Sequence, residues 1–306
     1  MKIKEWLGLK WNYFNKNPVI NPPFLSSIIA DPTFVTPEQS PDNKWHIFAH
    51  SIFGIHHYES FDGIKYKKLK LIVNFGVRPF IFINEKKFLI FYEKVFSLFR
   101  FPFYDSRLEV IESDDLYYWS NPKVILKPNL VWHKSYISKG TVGGPSVFKF
   151  KNRYILIYTG GLKLIKNCLF TEARYGGVAK SSYVNKNYLP DMNPINENGV
   201  DFKINKNNRN IPSRVYKIDD GYIGLQTMFY NSINNKPACQ IKLLYSKNGD
   251  EWFENKKFKI TPDCGWKSDY VYVGDMKIYN NKVYIYFNAR NGQLIGKECI
   301  GLVIGE

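Results

Sequence analysis

Ala30-Asp31-Pro32-Thr33-Phe34-Val35 sets one carboxyl group at the mouth of an apolar run, directly before a proline. A turn at Pro41-Asp42-Asn43 and a second apolar run, Trp45-His46-Ile47-Phe48-Ala49, follow. Two β-branched and aromatic runs of strand length around a turn predict a β-hairpin. The layout recurs with the acid replaced. Phe80-Ile81-Phe82 leads to Phe88-Leu89-Ile90-Phe91-Tyr92, and Ser146-Val147-Phe148 to Tyr154-Ile155-Leu156-Ile157-Tyr158. Val215-Tyr216 leads to Tyr222-Ile223-Gly224-Leu225-Gln226, and Met276-Lys277-Ile278 to Val283-Tyr284-Ile285-Tyr286-Phe287.

A third run ends in a common signature: Ser60-Phe61-Asp62-Gly63, Ser113-Asp114-Asp115-Leu116 and Ser246-Lys247-Asn248-Gly249, each closed by an aromatic residue. Asp or Asn followed by Gly favours a tight hairpin turn. A fourth run follows at Leu69–Ile72, Lys123–Leu126 and Phe258–Ile260. Four antiparallel strands per unit and five units predict an all-β, five-bladed β-propeller in a single domain spanning residues 1–306. The expected blades are 24–73, 74–128, 140–190, 210–262 and 268–306. The last lacks a fourth strand, and the N-terminal strand 17–22 is expected to close it and cover its edge. No helix of convincing length is predicted, and 190–210 reads as a polar loop. A β-sandwich pair would not show this fivefold register.

Composition narrows the class. Three hundred and six residues can bury a large core. The formal charge is +16, but the lysines are scattered through turns and form no long basic run, so no nucleic-acid partner is expected. Four widely spaced cysteines, Cys168, Cys239, Cys264 and Cys299, include no C-x-x-C pair, which argues against a zinc site and a disulfide framework. Residues 1–12 lack a signal-peptide h-region, and no apolar stretch has membrane-spanning length. The expectation is a cytoplasmic protein. The amphipathic segment 1–12 offers peripheral membrane contact or simple packing on the domain. Oligomeric state is not legible.

In a propeller the innermost strands line a channel. The repeat register puts Asp31, Arg78 and Gly144 at the entry of the first strand, with Arg214 and Asp275 aligned to within a residue or two. His50, Glu93, Thr159, Thr227 and Asn288 follow the second run. These positions nominate Asp31 and Glu93 for catalysis, and His50, Thr159, Asn288 and Asp275 for substrate binding. Arg78, Arg214 and Arg290 suit a carboxylate or phosphate, although one or two could brace blade junctions instead. The five histidines show no metal spacing. No metal site or cofactor is expected, and a divalent ion held by carbonyls and waters would leave no sequence mark. Trp132 and Tyr136 could stack on a sugar or pack within their loop.

Ala30-Asp31-Pro32, the repeated Ser-x-Asp/Asn turns, Tyr154–Gly161, Tyr284–Arg290 and Gly296–Gly301 together resemble the five-bladed propeller glycosidase clan of arabinanases, β-xylosidases, invertases and levansucrases. The resemblance implies that Asp31 is base or nucleophile at the sugar carbon. It also implies an Asp opening the third blade and a Glu near the fourth. Here the third opens Gly143-Gly144-Pro145 and the fourth Pro212-Ser213-Arg214. Glycoside hydrolysis ordinarily needs two carboxyls flanking the bond. Glu93 is the first choice for the second, against a salt bridge to Arg78. Glu172 is the next choice, then Asp269 and Asp275. The expected function is cleavage or transfer of a glycosidic bond on a carbohydrate, anionic or phosphorylated if the arginines bind substrate. A cytoplasmic glycosyltransferase of surface-polysaccharide assembly and a non-catalytic saccharide-binding propeller are the alternatives.

Overall fold

A computed structural model describes residues 1–96, 104–165, 170–197, 212–232, 236–293 and 295–306. Helix α1 (Ile3–Gly8) and strand β1 (Trp11–Tyr13) open the chain. Strands β2 (Ala30–Val35), β3 (Trp45–Ser51), β4 (Gly54–Ser60) and β5 (Lys67–Asn74) form one antiparallel sheet in chain order. So do β6 (Gly76–Asn84), β7 (Lys87–Val95), β8 (Ser106–Ser113) and β9 (Lys123–Leu126). The third sheet has β10 (Val142–Phe150), β11 (Arg153–Ile165) and β12 (Phe170–Ser181), with β13 (Leu189–Pro190) and β14 (Asn196–Glu197) both on β12.

The last sheet holds two runs. One is β15 (Arg214–Ile218), β16 (Gly221–Asn231), β17 (Pro237–Ser246) and β18 (Phe253–Ile260). The other is β19 (Tyr270–Tyr279), β20 (Lys282–Arg290) and β21 (Glu298–Gly305), edged by β1. The parallel bridge Cys239–Tyr270 joins them, with Cys239 Sγ donating to Val271 O beside it. The protein is thus all-β, built of four-stranded antiparallel units with almost no helix. Much of the expected 190–210 loop (198–211) lies outside the described residues.

The signature turns share one hydrogen-bond scheme. Ser60 Oγ donates to Asp62 and accepts from Gly63 N, while Asp62 accepts from Ile64 N and Lys65 N. Ser113 with Asp115, and Ser246 with Asn248, repeat it. Side chains here satisfy the backbone donors that a reversing chain leaves without ladder partners.

The N-terminal segment does run along β21. Regular pairing, however, lies at Trp11–Tyr13, and 17–22 meets β21 through an isolated bridge at Ile20–Ile300 and a hydrogen bond from Val19 N to Ile300 O rather than through a ladder. Pro18, Pro22 and Pro23 remove the N–H groups a ladder needs. Asn17 substitutes with its side chain, donating to Leu302 O and accepting from Leu302 N. Helix α1 packs on the body. Its Trp6 is buried among Ile223, Leu225 and Ile285, and Met1 and Ile3 bond Asp219 and Asp220, so its indole is covered by the protein itself. No described helix is long and apolar enough to cross a membrane. Cys239, Cys264 and Cys299 are free thiols, and Cys168 lies outside the described residues.

Neighbouring sheets bury apolar layers between their faces. Phe34, Trp45 and Ile47 pack on Tyr286, Ile300 and Leu302, joining the first sheet to the last. Phe80, Phe91 and Val110 pack on Val142, Leu156 and Ala179, joining the second to the third. The opening strands adjoin in the order β19, β2, β6, β10, β15.

Four of these opening strands, β2, β6, β10 and β19, share a device. A bulge interrupts the register between Ala30 and Thr33, Val77 and Phe80, Gly143 and Ser146, and Val271 and Gly274. At the first three, the residue before the proline has positive φ: Asp31 at 50°, Arg78 at 52° and Gly144 at 55°. A bulge leaves that residue out of the ladder and re-aims its side chain. Non-glycine residues in this region are uncommon, and Asp tolerates it better than most.

Candidate functional site

The bulges aim Asp31 and Arg78 at one end of the strands. Asp31 is buried and its backbone N–H donates to Asn288 Oδ1 at 3.1 Å. The Asn288 amide in turn donates to Glu298 Oε1. His50 sits opposite Ala30 in the ladder, with Nδ1 3.4 Å from Asp31 Oδ2. That nitrogen accepts from Arg78 N at 3.3 Å. Burial pushes His50 down to about 4, and Arg78 adds to this against the opposing pull of Asp31, so the imidazole is neutral near pH 7. The pair is therefore a neutral ring beside a carboxyl group rather than an ion pair.

Arg78 is the cation of the cluster. It donates to Glu93 Oε2 at 2.7 Å and to Tyr104 Oη at 3.0 Å. Glu93 is 1% exposed and locked to this guanidinium. The ion pair weighed against a catalytic Glu93 is thus present, and it holds Glu93 away from solvent. Gly143 makes room for it, because a Cβ there would lie 2.0 Å from Glu93 Oε2 and 2.5 Å from its Cδ. Gly143→Ala is therefore expected to force the carboxylate off Arg78, costing about 1–3 kcal/mol in denaturant unfolding. In a Glu93→Ala background the same substitution should cost much less, a coupling that a double-mutant cycle reads directly.

Two further carboxyls face this cluster. Glu172, on the long β11–β12 hairpin, is pushed up to about 7. Burial is the main cause, Asp31 and Glu93 add repulsion, and Arg78 opposes it. Glu298, at the start of β21, is raised to about 8 by burial and by Asp31, against Arg290 and the Asn288 amide. Sequence reasoning ranked Glu172 second and did not nominate Glu298, which opens a third strand and not an innermost one. Its signal was its place two positions before Ile300, inside a stretch already recognised as distinctive.

Both carboxyls are raised above their unfolded value of 4.5. Their ionisation opposes folding, so the stability they allow is complete below pH 4.5 and is lost as pH climbs through about 7 and about 8. Glu298→Gln keeps an acceptor for Asn288 and removes the charge. It should stabilise the fold by on the order of 4 kcal/mol near pH 9 and by little near pH 4, measured by urea unfolding at both.

The other nominated residues divide. Thr159 aligns with His50 and Glu93 by register, and its hydroxyl donates to Gly143 O at 3.1 Å. Arg290 interacts with Glu298 across the β20–β21 ladder. Arg214 and Asp275 lie elsewhere. Arg214 takes the register of Phe80 and Ser146, beyond the bulge position, and is 4% exposed. It donates to Pro79 O, lies over the Phe80 ring and faces Asp275 at 4.0 Å, which is a brace between strands.

Asp275 stands three residues past Tyr272, the residue that occupies the Asp31 register in β19. It is fully buried and accepts from Thr33 Oγ1, Phe34 N and Tyr216 Oη. Burial alone would raise its carboxyl, yet Lys277, Arg214 and these hydrogen bonds hold it below the usual range. A buried charge in such a node is costly to unpair. Asp275→Ala should cost about 3–5 kcal/mol of stability, seen as a lowered denaturation midpoint. Asp269 ties down the β20–β21 connection through Gly292 N and Gln293 Nε2.

A cleft of roughly 430 Å³ opens beside the cluster, lined by Tyr104, Lys134, Tyr136 and Ile137 among others. Tyr136 is 81% exposed there, whereas Trp132 stacks on Tyr158 under Gly160 and Gly177. The tryptophan is loop packing, and the tyrosine is free to meet a ligand. His46 and His57 pair in a separate buried network ending on Asp42 and Tyr117. Among the described residues, no three His, Cys, Asp or Glu side chains are placed to hold a metal ion.

The chain matches no protein-family model and no curated protein sequence. Solved structures match it along nearly its whole length. The α-L-arabinofuranosidase of Podospora anserina, solved with cellotriose, superposes with a TM-score of 0.64 at 12% identity, covering 97% of each chain. A GH62 hydrolase in complex with xylotriose gives 0.63 at 12% identity, over 96% of this chain and 97% of that one. An exo-1,5-α-L-arabinanase from a bovine ruminal metagenomic library gives 0.56 at 12% identity, over 91% and 94%. These neighbours belong to the propeller glycosidase clan that the sequence resembles, and at such identity the fold is what is shared.

Proposed function

We propose that the protein is a glycoside hydrolase on a five-bladed propeller, with the bulge ends of β2, β6 and β10 around one mouth of its channel. The observation that carries the reading is the convergence of Asp31 with Glu172, a carboxyl held near pH 7 by burial. Hydrolysis of a glycosidic bond needs one group to act on the sugar carbon or its water and another to protonate the leaving oxygen. Asp31 takes the first role, as base or nucleophile. Glu172 keeps its proton to near neutrality and takes the second. Arg78 and Glu93 position Asp31 and Glu172 electrostatically, and neutral His50 offers a hydrogen bond without adding charge. The cleft at Tyr136 receives the sugar chain.

Arg78 is occupied by Glu93 and Arg214 by the core. These engagements favour an uncharged saccharide over an anionic or phosphorylated one. The test is turnover of a panel of aryl furanosides and pyranosides, followed by nucleotide-activated donors with oligosaccharide acceptors. Release of aryl alcohol from a simple glycoside is the expected result. Turnover only with an activated donor would make it a transferase, and saccharide binding with no turnover would leave a binding propeller.

A further inference from the structure

We propose that Tyr272 is a substrate-binding residue, the flat wall against which a bound sugar ring rests through its C–H face. The inference rests on the hydrolase reading and deepens it by naming the ligand as an uncharged sugar ring. Tyr272 holds the register in β19 that Asp31 holds in β2, because the β19 bulge falls between Val271 and Gly274. Tyr272 and Val273 together face Asn288 alone. Asn288 accepts from Asp31 N and donates to Glu298, so the tyrosine stands opposite the residue that links these two acids. A bulge takes its occupant out of the ladder and re-aims the side chain. Here the occupant is neither acid nor cation but an aromatic ring.

The ring is braced without being sealed. Tyr272 is half-buried and stacks on Tyr270, with centroids 5.5 Å apart and planes 14° from parallel. Phe229 of β16 meets it at 6.4 Å and 61°. Tyr270 is fully buried, and its hydroxyl donates to Gln293 Oε1. The Gln293 amide donates in turn to Asp269 and to Pro237 O. A ring held this way has little conformational freedom left to lose when a ligand arrives. Burial, then Cys239, Glu298 and Glu172, push its phenol well above the ordinary range. The hydroxyl therefore stays protonated, and the ring adds no charge beside the carboxyls.

The surroundings of the cluster are two-sided. Arg78, Tyr104 and Glu172, from the second and third sheets, offer hydrogen-bonding groups, whereas Phe229 and Tyr272, from the last sheet, offer aromatic surface. A sugar matches both sides, with hydroxyls around its rim and C–H groups on a face that the negative face of an aromatic ring attracts. Charge separates it from other flat ligands. Asp31, Glu172 and Glu298 gather here, and Arg78 and Arg290 are engaged by Glu93 and Glu298. A nucleotide phosphate or a uronate would be repelled by such a set of carboxyls.

Tyr272→Ala should raise KM for 4-nitrophenyl glycosides at least about tenfold while kcat changes less than about threefold, the split left when binding common to ground and transition states is lost. Tyr272→Leu, which keeps an apolar cover over Tyr270 but no flat face, should behave in the same way. Tyr272→Phe keeps the ring and should stay within about twofold of the wild type. Titration calorimetry with xylotriose and with arabinotriose should show the same order of affinities without any turnover. Trisaccharide binding that Tyr272→Leu weakens, in a protein that cleaves no glycoside, would refute the hydrolase reading and uphold the stacking. Cleavage with an unchanged KM in both Tyr272→Ala and Tyr272→Leu would overturn the stacking alone. A Tyr272→Phe variant as impaired as Tyr272→Leu would overturn it as well, by assigning the contact to the hydroxyl. So would a wild type that binds neither trisaccharide and turns over no aryl glycoside.

Discussion

Asp31→Asn is expected to lower kcat by about 10³–10⁴-fold on every glycoside the wild type cleaves, with little change in KM or melting temperature. The fold should survive because Asn is at least as tolerant as Asp of the positive φ at this bulge. Asn matches Asp in size and can turn its amide N–H2 toward the unprotonated Nδ1 of His50, so the neighbourhood stays filled. In the proposed hydrolase, what is lost is the carboxylate assigned to attack the sugar carbon or deprotonate the water. A variant with unchanged kcat would remove Asp31 from the chemistry and leave it as a bulge residue.

Glu172→Gln should act through protonation. If Glu172 is the proton donor, as proposed, a carboxyl held up to about 7 gives the wild type a falling alkaline limb in kcat/KM near neutrality. The variant should lose that limb. Its rate should fall about 10²–10⁴-fold on sugars with poor leaving groups and far less on aryl glycosides whose phenol leaves without help. Glu298, raised to about 8, is the control. If Glu298→Gln removes the limb and Glu172→Gln spares it, the two exchange roles.

The sequence exposed the sheet architecture because each unit repeats the same local physics. Apolar runs of period two alternate with Ser-x-Asp/Asn turns, and the structure shows the same hydrogen bonds at Ser60, Ser113 and Ser246. Asp31 and Arg78 were legible for the same reason, each preceding a proline at the start of an opening strand. The register failed where that marker is missing. Tyr272 is followed by Val273, so the eye settles on Asp275, three residues too deep and inside a buried node. Pro212 precedes Ser213 and Arg214, which shifted Arg214 in the same way. Glu298 was missed because repeat alignment ranks innermost strands, and a carboxyl reaching the mouth from a third strand carries no periodic signal. The strand at 17–22 was over-read because its apolar residues fit the pattern while its prolines do not.

The bulges at Asp31, Arg78 and Gly144 have a consequence for how such a protein can diversify. Each is an identical socket, closed behind by proline and set outside the hydrogen-bonded ladder, so its occupant contributes to the mouth and hardly at all to the hydrophobic layers. Selection can exchange acid for cation or glycine in one socket with small change in folding free energy, because the wall on which it is mounted is unaltered. The side chains presented at this end are thereby set by a few interchangeable positions, and a lineage can drift to negligible sequence likeness while the frame stays the same.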